Sequence, residues 1–76
     1  MNNQGITVNT LLSHMDDDQR IAIFDLDTYA VDDSIFHGMA QDLPLKYYTR
    51  RVSYFYSDYA YSKHFSGSFI GVRLAE

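Results

Sequence analysis

The chain has 76 residues, a formal net charge of −4 and no cysteine. This length predicts a single small domain over residues 1–76, and the lack of thiols excludes disulfides and thiolate metal sites. A chain this short buries only about 60 % of the surface that its unfolded form exposes. Because a second copy is a common reinforcement for such small cores, we expect a homodimer.

Membrane insertion and secretion are not indicated by the sequence. The longest apolar runs, such as IAIF, are far shorter than the roughly 20 residues of a membrane-spanning helix. The first residues, MNNQGITV, contain neither the basic stretch nor the apolar core of a signal peptide. We therefore expect a soluble cytoplasmic protein that does not act at a membrane.

The charged side chains are distributed unevenly along the chain. Residues 1–45 carry eight acids and one base, whereas residues 46–76 carry five bases and two acids. Such a division is compatible with an interaction surface of one sign. The favoured interpretation is that folding interleaves the two halves, so that the patches cancel.

The first predicted element is a short helix that begins after Thr7. Val8, Leu11, Leu12 and Met15 recur at helical spacing and form one apolar stripe, and Thr7 is a suitable N-cap residue. A helix of about eight residues is not stable alone in water. The stripe therefore predicts packing against another layer.

Four predicted strands supply that layer. The segments RIAIF at 20–24 and SIFHGM at 34–39 are separated by the polar segment DLDTYAVDD, which predicts a long hairpin loop. The segment QDLPLKYY then predicts one helical turn, and it is followed by RVSYFYS at 51–57 and GSFIGVRL at 67–74. This order predicts an α+β domain: a four-stranded antiparallel sheet with one short N-terminal helix across one face and a short helical turn between strands 2 and 3.

No spacing of residues predicts catalysis, a cofactor or a bound metal. The segment IAIFDLDTYA resembles the first motif of haloacid-dehalogenase-type phosphotransferases, but Tyr29 stands where that family has Thr or Val. The same loop does not match a calcium loop, which requires Gly where Ala30 stands. His14, His37 and His64 fall on different predicted elements, with no cysteine to complete a zinc site. We expect a protein that is not an enzyme.

The stretch RRVSYFYSDYAYSKHF, residues 50–65, is the strongest indication of function. It contains six aromatic rings, three basic residues and a histidine. Strand alternation predicts that Val52, Tyr54 and Tyr56 share one face, while Tyr59 and Tyr61 follow in an irregular segment. An eight-residue helix cannot cover so many rings, so an exposed aromatic patch is predicted. Such patches usually mark an interface.

The predicted partner-binding residues combine the rings with the neighbouring basic side chains: Tyr54, Tyr56, Tyr59, Tyr61, Phe65, Arg50, Arg51 and Lys63. We expect Tyr59 and Tyr61 to be the main anchors for a protein partner, with the basic residues steering the approach. Rings beside basic residues also suit single-stranded nucleic acid, so a nucleic-acid-binding dimer is the alternative. Ordinary structural packing of the rings is the third interpretation.

Three short pieces of the sequence follow a layout of a TVxxLL helix with an acidic break and a strand, a strand with glycine and a D-[LI]-P turn, and a further strand: ITVNTLLSHMDDDQRIAIFD, FHGMAQDLP and RRVSYF, within residues 6–55. Their layout resembles that of small phage and mobile-element proteins of Gram-positive bacteria. Several proteins of this size and genomic type inhibit bacterial defence, anti-CRISPR proteins among them. The resemblance implies a non-enzymatic inhibitor that binds a CRISPR effector or another defence nuclease in the cytoplasm of the bacterial host.

Overall fold

A four-stranded sheet with two parallel central strands forms the centre of the computed structural model. The structure describes residues 6–25, 30–61, 63 and 66–75. In this part of the chain the helix and strands are α1 (Val8–Leu12), β1 (Arg20–Phe24), β2 (Phe36–Met39), β3 (Val52–Tyr61) and β4 (Ser66–Leu74). Three 3₁₀ turns accompany them, at Val31–Asp33, Ala40–Asp42 and Leu45–Tyr47.

The strand order is β2-β1-β4-β3, so β2 and β3 are the edges of the sheet. β1 pairs antiparallel with β2, and β3 pairs antiparallel with β4, but β1 and β4 run parallel. Four strands with a short helix agree with the predicted α+β class, whereas the prediction of a wholly antiparallel sheet is wrong. The physical reason is the connection from β2, which crosses to the opposite edge before β3 and β4 pair, so that β4 lies beside β1 in the same direction.

The helical segments also differ from their predicted placement. Thr7 is the N-cap, since its Oγ1 accepts a hydrogen bond from the Thr10 amide at 3.3 Å, but α1 ends at Leu12. Beyond Leu12 the amides of His14 and Met15 donate to the carbonyls three residues earlier, which tightens the chain into turns. Two 3₁₀ turns replace the predicted turn between β2 and β3, and the turn Val31–Asp33 was not predicted.

The larger core cluster lies between α1 and one face of the sheet. Its buried members are Val8, Leu11, Ile21, Ile23, Ala40, Leu43, Val52, Val72 and Leu74. The connection between β2 and β3 crosses this same face, because Ala40 and Leu43 belong to the cluster and Tyr47 and Tyr48 pack against it. Fully burying one Leu or Ile side chain stabilises the fold by roughly 1.5–3 kcal/mol, which explains how a five-residue helix persists.

The opposite face of the sheet carries a smaller cluster made of Ala22, Phe24, Val31, Ala60 and Phe69, with Tyr56 packed against it. Val31 belongs to the 3₁₀ turn after β1 and caps this cluster. Both faces of the central strands are therefore covered, while the edge strand β3 keeps most of its side chains exposed.

Candidate protein-binding surface

A β-bulge at the start of β3 determines which aromatic rings share a face. Val52 and Tyr54 pair with consecutive residues of β4, so Ser53 is the extra residue of the bulged strand. The prediction that Val52, Tyr54 and Tyr56 share one face is wrong for this reason. Val52 lies on the α1 face of the sheet, and the two tyrosines lie on the opposite face.

Strand β3 also continues further than predicted. Tyr59 pairs with Ser68 and Tyr61 pairs with Ser66, so both tyrosines lie within the regular strand and not in an irregular segment beyond it. The alternation of β3 therefore extends through Asp58, the polar residue that follows the end of the predicted strand at Ser57. Residues paired across two strands point to the same side of a sheet, which places both rings on the α1 face.

The exposed part of this α1 face is here called the aromatic face. It consists of the exposed residues Phe55, Ser57, Tyr59 and Tyr61 of β3 and Ser66 and Ser68 of β4, together with Ile70 of β4, which is partly buried against the larger core cluster. Phe55, Tyr59 and Tyr61 are 51 %, 54 % and 86 % exposed. The rings of Tyr59 and Tyr61 lie 4.9 Å apart between centroids at an angle of 51°, a tilted arrangement that aromatic pairs favour. None of the seven side chains is charged.

An apolar groove adjoins the aromatic face where α1 ends. Its volume is about 460 Å³, and its lining residues are Leu11, His14, Met15, Asp16, Gln19, Phe55 and Ile70. Phe55 and Ile70 belong to both the groove and the aromatic face. The groove therefore extends the apolar surface from the hairpin toward the helix, with polar side chains at its rim.

The opposite face of β3 is arranged differently, because Tyr56 packs against the smaller core cluster while Tyr54 is 46 % exposed. Tyr54 and Tyr56 have ring centroids 6.0 Å apart, and Tyr56 is half-buried. Beside them Arg73 is buried, with its guanidinium 5.5 Å from the centroid of the Phe24 ring and its Nη1 donating to the Asp25 carbonyl. A buried cation requires such partners, so Arg73 and Phe24 have a structural role on this face.

The predicted basic residues do not gather beside the rings. Arg50 and Arg51 are exposed immediately before β3, and Lys63 is exposed after its other end. A ten-residue strand spans about 33 Å, so only Lys63 is near Tyr61. Phe65, the remaining predicted ring, lies outside the described residues.

Five of the seven residues of the aromatic face were not among the predicted partner-binding residues: Phe55, Ser57, Ser66, Ser68 and Ile70. The signal for Phe55 was present in the sequence, because Phe55, Ser57, Tyr59 and Tyr61 alternate without interruption. Continuing this alternation past Ser57 would have placed all four on one face. No comparable signal identifies Ile70, which is partly buried against the larger core cluster.

The described residues contain neither a cluster that could hold a metal ion nor a helix that could cross a membrane. Within residues 6–25, 30–61, 63 and 66–75, no three His, Asp or Glu side chains come close enough to hold a metal ion. His14 is exposed beside the groove, His37 is half-buried in β2, and His64 lies outside the described part. None of the helices in the described chain has the length and apolar composition needed to cross a membrane.

Comparison with known proteins gave no match: no protein-family model, no curated protein and no solved structure matches this chain. The candidate surface therefore rests on the geometry and chemistry of its own residues.

Proposed function

We propose that this protein acts by binding another protein, without catalysis, and that the aromatic face is its contact surface. The observation that carries the proposal is that three uncharged rings, those of Phe55, Tyr59 and Tyr61, are exposed on one face of the paired strands β3 and β4. Large exposed apolar patches on small proteins usually mark interaction sites. A rigid strand also holds such rings in place before binding, which lowers the entropic cost of association.

The composition of the face supports the same proposal. Tyrosine provides a large, rigid contact area with a polar tip, and serine provides adaptable hydrogen bonds, a combination also found in antibody combining sites. Lysine and glutamate, which are depleted at interface cores, are not present among the seven residues. The tilted pair of Tyr59 and Tyr61 offers a partner two adjacent ring surfaces.

The expected contribution to affinity is considerable. An aromatic side chain can bury roughly 150–250 Å², and about half of Phe55 and half of Tyr59 are exposed. At about 25 cal/mol per Å², covering the exposed half of one such ring contributes roughly 2–3 kcal/mol. Truncation of a well-buried ring at an interface commonly costs about 2 kcal/mol or more.

The class of partner is proposed from the resemblance together with the charges. The resemblance to small phage and mobile-element proteins implies a bacterial defence nuclease, such as a CRISPR effector. Nucleases present basic surfaces to nucleic acid, and this protein has a net charge of −4, with exposed aspartates at 16–18 next to the groove. Opposite charges of this kind raise association rates. The protein would inhibit by occupying the nuclease surface.

The experiment is a binding and cleavage assay with purified CRISPR effector nucleases, loaded with guide RNA, in the presence of the wild-type protein. Inhibition of DNA cleavage is expected, with its loss in Tyr61→Ala. Tyr54→Ala is the matched control, because Tyr54 is also an exposed tyrosine of β3 but lies on the opposite face. Equal loss in both variants, with both folded, would contradict the assignment to the aromatic face.

The alternative of nucleic-acid binding is tested in the same series. Single-stranded oligonucleotides are titrated at about 50 mM and 200 mM salt. Tight binding that weakens by orders of magnitude between the two concentrations would indicate phosphate contacts and would replace the proposal. The distance between the two groups of basic residues makes this outcome unexpected.

A further inference from the structure

Strand β3 is an edge strand whose outer side is covered at one end. The bridge between Thr7 and Arg51 places residues 6–8 along the start of the strand, where Val8 N–H donates to the Arg50 carbonyl and Val52 N–H donates to the Ile6 carbonyl. No other described residue pairs with the outer side of β3. The uncovered segment is therefore residues 53–61, which is long for an edge strand.

The direction of the outer backbone groups follows from the hydrogen bonds at the start of β3. Arg51 faces β4, because its carbonyl accepts from Ala75 N–H, and Val52 faces outward. After the bulge residue Ser53 the alternation resumes, so the backbone groups of residues 55, 57, 59 and 61 point away from β4. The Tyr59 amide agrees with this, since it donates to the Asp58 carboxylate at 2.8 Å.

The midpoint of the uncovered segment is Ser57, one of the residues whose amide and carbonyl point outward. We infer that two copies of this chain pair antiparallel through residues 53–61 of β3, about a two-fold axis at Ser57, to form one continuous eight-stranded sheet. In this register Ser57 pairs with Ser57 of the second copy. All of residues 53–61 take part in the pairing, and the covered residues 50–52 do not. The inference does not rest on the proposed function.

Charge and side-chain packing favour this register over its neighbours. Asp58 is the one charged residue within residues 53–61, and the axis at Ser57 places it opposite Tyr56 of the second copy. An axis at Asp58 would oppose two carboxylates, which is unfavourable. The axis at Ser57 also places Phe55 opposite Tyr59 on the aromatic face, and aromatic pairs across strands are stabilising. The Tyr59 amide exchanges its bond to Asp58 for a carbonyl of the second copy.

Such pairing would join the two aromatic faces into one surface. The two-fold axis is perpendicular to the sheet, so the aromatic faces of both copies lie on the same side of the joined sheet. The small core described above gives a physical reason for the pairing, since association adds buried surface that one chain of this length cannot supply.

The first test is the molar mass in solution, measured by light scattering at micromolar to millimolar concentration. The wild-type protein is expected at twice the 8.8 kDa of one chain. Ser57→Pro removes an outward N–H that β4 does not use, a position at which edge strands accept proline, and should give the mass of one chain. Ser57→Ala retains the N–H and is the matched control. A wild-type protein that has the mass of one chain at all concentrations would overturn the inference.

The second test remains decisive if Ser57→Pro does not fold. The chain has no cysteine, so Ser57→Cys introduces a single thiol at the proposed axis, where opposed Cα atoms are about 5.5 Å apart and a disulfide can form. Mild oxidation should yield a covalent dimer of Ser57→Cys. Ser53→Cys is the control, because its two copies would lie about 26 Å apart. Equal cross-linking of both variants, or none in Ser57→Cys, would overturn the register.

Discussion

The ring of Tyr56 lies directly on the backbone of Gly71 in the neighbouring strand. A β-carbon built at Gly71 would be 2.5 Å from Cζ of Tyr56 and 2.8 Å from its hydroxyl oxygen. The two residues are opposite each other in the pairing of β3 with β4. The absence of a side chain at position 71 thus allows the tyrosine to lie flat on the sheet beside the buried cluster of Phe24 and Phe69.

The first prediction is that Gly71→Ala destabilises the protein by about 1–3 kcal/mol, because the added methyl group forces the ring out of its position. In a Tyr56→Ala background the same change is expected to stabilise by about 0.5 kcal/mol, since alanine is less costly than glycine in a strand. Urea unfolding of the two single variants and the double variant measures this coupling.

The control for this cycle is Ser68→Ala, an exposed position on the same strand, which should change the free energy of unfolding by less than about 0.5 kcal/mol. If Gly71→Ala proved equally costly with and without the tyrosine ring, the contact between the two residues would not be the cause.

The second prediction concerns the bulge. Deleting Ser53 should leave a regular ladder in which all the remaining residues of β3 keep their faces. The free energy of unfolding should therefore fall by no more than about 1 kcal/mol. Deleting Ser57 changes the faces of residues 54–56 relative to residues 58–61, which places part of β3 on the wrong side. Chemical unfolding at low protein concentration compares the free energies of unfolding of the two deletion variants. Similar values would contradict the assigned faces.

The sequence was informative about elements and much less informative about their neighbours. β1 was predicted with its observed bounds, Arg20–Phe24, because Ile21 and Ile23 alternate with Ala22 and Phe24 in the sequence. In the structure all four of these residues are buried. The parallel pairing of β1 with β4 could not be read in this way. It depends on the path of residues 40–51 across the α1 face, where Leu43 enters the core, and no local pattern specifies such a path.

Only part of the candidate surface was predicted, because the sequence identified exposed rings but did not reveal the bulge in β3. Tyr59 and Tyr61 were identified from their surplus in the sequence, and both are exposed on one face. The separation of Tyr54 and Tyr56 from Val52 required the bulge at Ser53. A serine between a valine and a tyrosine gives no sign that the strand contains an extra residue, since alternation alone assumes a regular ladder.

The third prediction is that Thr7→Ala lowers the free energy of unfolding by about 1 kcal/mol, the usual cost of losing an N-cap side chain. The Thr7 hydroxyl accepts a hydrogen bond from the Thr10 amide. Because α1 has only five residues, few other hydrogen bonds of the helix compensate for the loss of this one. Thr7→Ser keeps the hydroxyl and should be close to the wild type in thermal unfolding. A loss of the same size in both variants would show that the Thr7 methyl group, and not the cap, is responsible.

The last prediction separates the rings from the basic residues by kinetics, using whichever protein partner the binding assay identifies. Tyr59→Ala should raise the dissociation rate by roughly 30-fold or more, corresponding to about 2 kcal/mol, because a ring buried at an interface holds the complex together. Arg51→Ala should change the dissociation rate little. It should raise the association rate modestly, and only at low salt, since rim charges act at a distance and the proposed partner surface is basic.

The structural basis of this contrast is the separation along β3. Tyr59 belongs to the aromatic face, whereas Arg51 precedes the strand at its other end, beside residues 6–8. Surface plasmon resonance at two salt concentrations gives both rate constants for each variant, and circular dichroism checks that each variant is folded. Should Arg51→Ala accelerate dissociation as much as Tyr59→Ala does, the contact would extend along the whole edge of β3, and the aromatic face would not be its centre.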